Sequence, residues 1–267
     1  ILGDANKVRF EPLSAAARFD ALAGGTVDIL SRNTTHTMQR DVDLGLAFPA
    51  LTLFDGQGFI APAETGLVSA QQLNGQTICV LKGTTTEANL AYYATSLSLT
   101  YTVTTFANRA EMIAAYTAGT CDAYSADRTS LYADRAGMAD PTAHVILPEV
   151  ISKEPLGPVV RDTDAAFASI VQWTVAGLIN AEEVGLTAEQ AIAGTGSADA
   201  KRLLAGADAS GAKLGLSAGW LSRAVGAVGN YAEMFELNLG ASGPLGMERG
   251  ANALWNKGGL LYAPPMW

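Results

Sequence analysis

The chain has 267 residues, 49% of them hydrophobic and 16% charged, which is enough for one large domain or for two lobes with cores of their own. Its formal net charge is -9 and its pI about 4.7, and no Lys/Arg cluster interrupts that balance, so a polyanionic partner is repelled and no nucleic acid is expected. The longest apolar stretch, residues 165–179, is broken by Ser169 and Gln172 and is too short to span a bilayer, so no membrane insertion is expected. The chain begins with Ile1 and carries no signal-peptide pattern, which reads as a processed product or a fragment.

In chain order, Val8-Arg9-Phe10-Glu11-Pro12-Leu13 alternates as a half-buried strand, and Ser14 is placed to cap a helix from Ala15 to Ala23 that Gly24-Gly25 ends. Val27-Asp28-Ile29-Leu30 is a short strand. The run that follows it, Ser31 to Arg40, is dense in donors and nearly free of core residues. Open α/β sheets place ligands on loops of this kind, although a solvated connection has the same composition. Leu44 to Phe54 is apolar around Pro49, and residues 55–62 are extended between glycines and a proline, a first crossing between lobes.

Thr77-Ile78-Cys79-Val80-Leu81 reads as a buried strand that turns through Gly83 into a helix from Glu87 towards Leu97. Thr84 and Glu87 have capping-box spacing, with the carboxylate reaching back to the cap. Such a helix start suits a small anion, but most turns of this type bind nothing. Thr100 to Thr104 is β-branched and reads as a strand, Asn108 caps a helix from Glu111 to Thr117, and Cys121 to Asp127 runs out as strand and loop. Residues 19–28 and 112–122 thus repeat one theme of helix, glycine turn and short strand, which implies two similar α/β lobes. His144 to Leu147 is a further strand, and residues 154–161 are extended again, with prolines that argue against a central ladder position. This is the second crossing. A long helix from Asp164 to Val184 follows, and the remainder is helical and Gly-rich.

Two crossings between two α/β lobes describe a clamshell that holds a small molecule on polar loops. Cys79 and Cys121 lie on apolar segments that suit neighbouring strands; two reduced thiols and one disulfide both fit. His36 and His144 have no Cys or His partner at ligand spacing, so neither metal nor cofactor is expected. No Gly-x-Ser-x-Gly elbow, catalytic triad or phosphate loop occurs, which points away from an enzyme.

Several segments together resemble the type II periplasmic substrate-binding proteins of polar amino-acid ABC transporters, in particular their general L-amino-acid branch. They are residues 28–35 with Arg40, residues 81–87, residues 119–123 with Asp127, Glu154-Pro155-Leu156-Gly157-Pro158, and the C-terminal stretches 228–233, 253–260 and 262–265. The resemblance implies an α/β, two-lobed type II periplasmic-binding-protein-like clamshell with two crossover segments and a helical C-terminal extension. Lobe 1 would take residues 1–58, lobe 2 residues 59–158, and lobe 1 again residues 159–267 with the extension. The implied activity is periplasmic capture of L-α-amino acids, with polar, acidic or amide side chains favoured, and delivery to an ABC-transporter permease.

Carried onto this chain, the resemblance implies that Arg40 grips the ligand α-carboxylate, joined by the amides and hydroxyls of Thr35 and of Thr85, next to Thr84. Asp127 would take the α-ammonium with the Asn33 carbonyl, and Arg32 would face the ligand side chain or lie on the surface. A buried zwitterion needs a cation at one end and an anion at the other. The resemblance also favours a Cys79–Cys121 disulfide. One departure is plain: the family opens with a central strand and a helix, and this chain starts at what looks like the end of that helix, Ile1-Leu2-Gly3-Asp4. A sensory domain without ligand and a dehydratase-type enzyme on the same scaffold are the competing readings.

Overall fold

The computed structural model describes residue 1 and residues 3–267, and in it residues 8–13 form no strand. Val8 and Phe10 are exposed, Phe10 to 88%. An alternating apolar pattern holds a strand only where a neighbour takes its main-chain groups and covers one face. No described strand pairs with this segment. Of the opening read as a helix end, Gly3 and Asp4 are exposed and non-helical, and Leu2 lies outside the described residues.

Ser14 Oγ accepts the Ala17 N–H at 3.2 Å in a turn ahead of the helix, but α1 spans only Arg18–Ala23, and its N-cap position is Ala17, which makes no side-chain cap bond. Gly25, at φ 75°, ends it. The next strand is also short, β1 (Ile29–Leu30). After it the polar run is not all loop. Thr37 accepts the Arg40 N–H at 3.2 Å and starts α2 (Met38–Asp43), so Arg40 sits on a helix. β2 (Leu46–Ala47) and β3 (Leu53–Asp55) follow.

The chain packs as two units, one of Ile1–Glu11, Asp28–Leu53 and Gly157–Trp267, the other of Pro12–Val27 and Phe54–Leu156. The second unit is built on β4 (Gln57–Pro62), β5 (Thr77–Leu81), β6 (Thr102–Phe106), β7 (Ala123–Asp127) and β8 (His144–Ile146). Between these strands run α3 (Thr85–Ser96), α4 (Arg109–Thr117) and α5 (Arg128–Ala136). The five strands form one sheet in the order β6-β5-β7-β4-β8, with β5 parallel to β6 and β7 and β4 antiparallel to β7 and β8. β5 is covered on both faces, which is why it reads as an unbroken apolar run. Phe59, Ile78, Val80, Leu90 and Leu147 fill one side, and Ile60, Cys79, Met112, Tyr124 and Leu131 the other. Cys79 and Cys121 form a disulfide across this second side, with Cα atoms 5.8 Å apart. The segment closes on β9 (Glu154–Leu156), which pairs with β3.

The remaining strand, β10 (Val159–Arg161), is the centre of a three-stranded antiparallel sheet in the order β1-β10-β2. The prolines argued against a central ladder position here, but Pro158 stands just ahead of β10 and Pro155 falls on the two-stranded ribbon, so neither removes a donor from the middle of this sheet. Asp164 caps α6 (Ala165–Glu183) by accepting the Phe167 N–H. Helices α7 (Ala188–Ala193), α8 (Ala198–Gly211), α9 (Trp220–Val228) and α10 (Tyr231–Asn238) complete the unit. Their core is Leu186, Leu203, Trp220, Leu221 and Val225, and Gly177 lets α6 approach α9, because a Cβ there would stand 2.5 Å from Leu221. Arg249 pairs with Glu182 at 2.9 Å and covers the rings of Tyr231 and Phe235, tying the extension down. Among the described residues no helix is long and apolar enough to cross a membrane.

Candidate functional site

In the first unit the candidate residues follow β1. Thr34 and Thr35 are buried and Arg32 and Asn33 half-buried. The Thr34 carbonyl accepts the Gly157 N–H at 3.3 Å, and Gly157 has to be glycine, since a Cβ would lie 2.1 Å from the Ala50 carbonyl oxygen. Arg40 reaches back from α2, and its Nη1 donates to the Thr35 carbonyl at 2.8 Å. His36 stacks on Phe48 with ring centroids 4.5 Å apart and stands 3.7 Å from Asp41.

In the second unit the α3 start departs in detail from the expected capping box. Thr84 Oγ1 accepts the Glu87 N–H, but Glu87 reaches past the cap to the Gly83 N–H at 2.9 Å. The Thr84 hydroxyl donates to the Leu81 carbonyl and the Thr85 hydroxyl to Glu154 Oε2 at 3.0 Å. A hydroxyl has one proton to give. Neither threonine therefore offers its hydroxyl as a donor to an anion here, and what Thr85 can bring to a carboxylate is its main-chain amide.

Glu154, 1% exposed, was not singled out as a site residue in the sequence, although its motif was. It also accepts from Asn89 Nδ2 at 2.7 Å and from Ser152 Oγ at 2.5 Å. Gln57, fully buried, is a second such residue: its Nε2 donates to the Thr86 carbonyl at 3.0 Å and to Ser125 Oγ at 2.8 Å. The only sequence signal for either is a polar side chain inside an apolar strand.

Asp127, 7% exposed, ends β7 opposite Gln57 and stands at the N-cap position of α5, where its side chain makes no cap bond. Asp55, close by, is half-buried. Burial pushes its carboxyl above the ordinary value, against the opposing pull of Thr129, of the Gly56 amide and of Arg128. The candidate residues therefore form two sets. The first unit brings together the buried main chain of Thr34 and Thr35 with the Arg40 guanidinium. The second has the α3 start and the Asp127 carboxylate.

An α/β fold of this organisation is that of a type II solute-binding protein. No protein-family profile matches the chain. It is 47% identical over 270 residues to the general L-amino acid-binding periplasmic protein AapJ of Rhizobium johnstonii, covering 100% of this chain and 79% of that one. To the glutamate/glutamine/aspartate/asparagine-binding protein BztA of Rhodobacter capsulatus it is 47% identical over 268 residues, covering 99% and 79%. Its fold matches a solved ABC transporter/periplasmic binding protein from Brucella ovis with glutathione bound at a TM-score of 0.95 and 48% identity, covering 100% of this chain and 85% of that one. The chain belongs to the periplasmic substrate-binding proteins of amino-acid ABC transporters.

Proposed function

We propose that this protein binds L-α-amino acids in the periplasm and delivers them to the membrane permease of an ABC transporter. The observation that carries the reading is the similarity, over the whole of this chain, to AapJ, whose name records general L-amino-acid binding. The chemistry of the two sets of residues supports it. Arg40, held by the Thr35 carbonyl, presents a planar fork of donors suited to a carboxylate. The amides of Thr35 and Thr85 add to that cradle, and Asp127, with the Asn33 carbonyl, takes the α-ammonium. Arg32 faces the ligand side chain and favours acidic or amide groups, in keeping with the ligands in the name of BztA.

A second reading concerns the ligand and follows from the glutathione in the Brucella ovis structure. The γ-glutamyl end of glutathione carries a free α-carboxylate and α-ammonium, the same two groups an amino acid offers. Both ligands can therefore use Arg40 and Asp127. Against enzymatic readings stands the fact that the relatives named here are binding proteins. Calorimetric titration with L-glutamate, L-glutamine and glutathione tests the reading. Heat of binding from the amino acids supports it, heat from glutathione alone supports the peptide reading, and turnover of any of the three contradicts both.

A further inference from the structure

The helical part of the first unit holds a cavity of about 330 Å³ that shares no residue with the candidate amino-acid set. Its walls come from α6, from the end of α8 and the turn at Ala212–Leu214, from the start of α9 and from residues 265–267. Ligand pockets run from about 300 to 1,000 Å³, so this one suits a small molecule. Three of the four tryptophans, Trp173, Trp220 and Trp267, line it and offer their faces to a flat ring.

Two of these rings are held by the protein alone. Trp220 Nε1 donates to the Ala207 carbonyl at 2.9 Å, and the Arg202 guanidinium stands 4.8 Å from the Trp267 ring centroid. The walls also meet at close range. A Cβ on residue 211 would stand 2.4 Å from Trp220 Nε1, and one on residue 206 would stand 2.1 Å from the Met266 carbonyl oxygen, so glycine is required at both. The polar lining has one sign. Ser210 and Lys213, three residues apart, are both exposed, and among the described residues no acidic side chain lines the cavity. Lys213 makes no ion pair among the described residues, so an anion in the cavity meets an unneutralised cation.

We propose that this cavity is a second ligand site and takes a small aromatic carboxylate, with the ring against the tryptophans and the carboxylate at Lys213 and the Ser210 hydroxyl. The amino-acid reading does not enter the argument, and the two stand or fall separately.

The test is calorimetric titration of the full chain with indole-3-acetate and with its neutral isostere indole-3-acetamide, each in the presence of excess L-glutamate. Indole-3-acetate should bind saturably at one site per chain, up to about fivefold more tightly than the amide, the worth of one exposed ion pair. Lys213→Met should abolish that difference while the amide still binds, a result that a general loss of packing would not give. Ser169→Phe, which fills the cavity from α6, should abolish binding of both compounds. If that variant does not fold, Ser210→Phe fills the cavity from an exposed position instead. Absence of saturable binding, equal affinity for acid and amide in the wild type, or wild-type affinity in the folded filling variant overturns the proposal. Displacement of indole-3-acetate by L-glutamate overturns it too, since the acid then occupies the amino-acid site.

Discussion

The Arg40 guanidinium donates to the main-chain carbonyl of Thr35 at 2.8 Å, so the cation and the buried threonine segment after β1 are held as one piece. Their separation in sequence is bridged by α2, which Thr37 starts. Arg40→Ala should cost roughly 2 to 5 kcal/mol of amino-acid affinity, the range for truncating one partner of a buried charge pair. The unfolding midpoint should change little, because Arg40 is half-buried on a helix with no buried residue. Arg40→Lys should recover only part of the affinity, since an ammonium cannot reproduce the fork. Calorimetry beside thermal unfolding checks all three, and wild-type affinity in Arg40→Ala rejects the carboxylate assignment.

Asp127→Asn should weaken α-amino acids while sparing their α-hydroxy analogues relative to the wild type. An amide no longer complements the ammonium charge but still accepts a hydrogen bond from a hydroxyl. Paired titrations with L-glutamate and 2-hydroxyglutarate measure the difference. Equal losses for the two reject the ammonium role.

Asp55 should leave a mark on stability against pH. Burial raises its carboxyl above the ordinary 3.8, so the folded chain holds this proton more tightly than the unfolded chain. Stability from this group is full below 3.8 and is lost as pH rises through the raised native value. The stability of the wild type relative to Asp55→Asn should therefore fall as pH rises through that window. Denaturant unfolding of both proteins across mildly acidic pH checks the sign, and a difference that grows with pH contradicts it.

The Cys79–Cys121 disulfide closes a loop with a sequence separation of 42 and fastens β5 to the entry of β7. By loop-closure entropy its removal costs up to about 4 kcal/mol. The loss should fall on the second unit, so hydrogen exchange of the β5 and β7 amides should quicken after reduction. All four tryptophans lie in the first unit, so their fluorescence is a poor reporter of this change. Unchanged exchange at β5 on reduction contradicts the prediction.

Elements whose signals are local were legible in the sequence. β5 falls on the five residues read as a buried strand, because both its faces are apolar, and α4 and α6 start behind the caps Asn108 and Asp164. Elements that depend on distant residues were not. The pattern at 8–13 finds no strand to pair with among the described residues. α5 follows β7 without a glycine, and its first turn is capped by Asp55, 74 residues earlier. The site divides the same way. Arg40, Thr35 and Asp127 came from the family resemblance, whereas Glu154 and Gln57 emerge only once β9 and β4 are folded against α3 and β7. The hydroxyls of Thr84 and Thr85 looked like ligand donors for the same reason, since their carbonyl and carboxylate acceptors cannot be seen in one stretch of chain.

The most direct test of amino-acid binding is calorimetric titration of the ligand-stripped wild type with L-glutamate, L-glutamine, L-leucine and L-histidine. Saturable binding of several of them, each with one site per chain, is the predicted result. Folded protein that gives no heat of binding with any of the four would contradict the assignment.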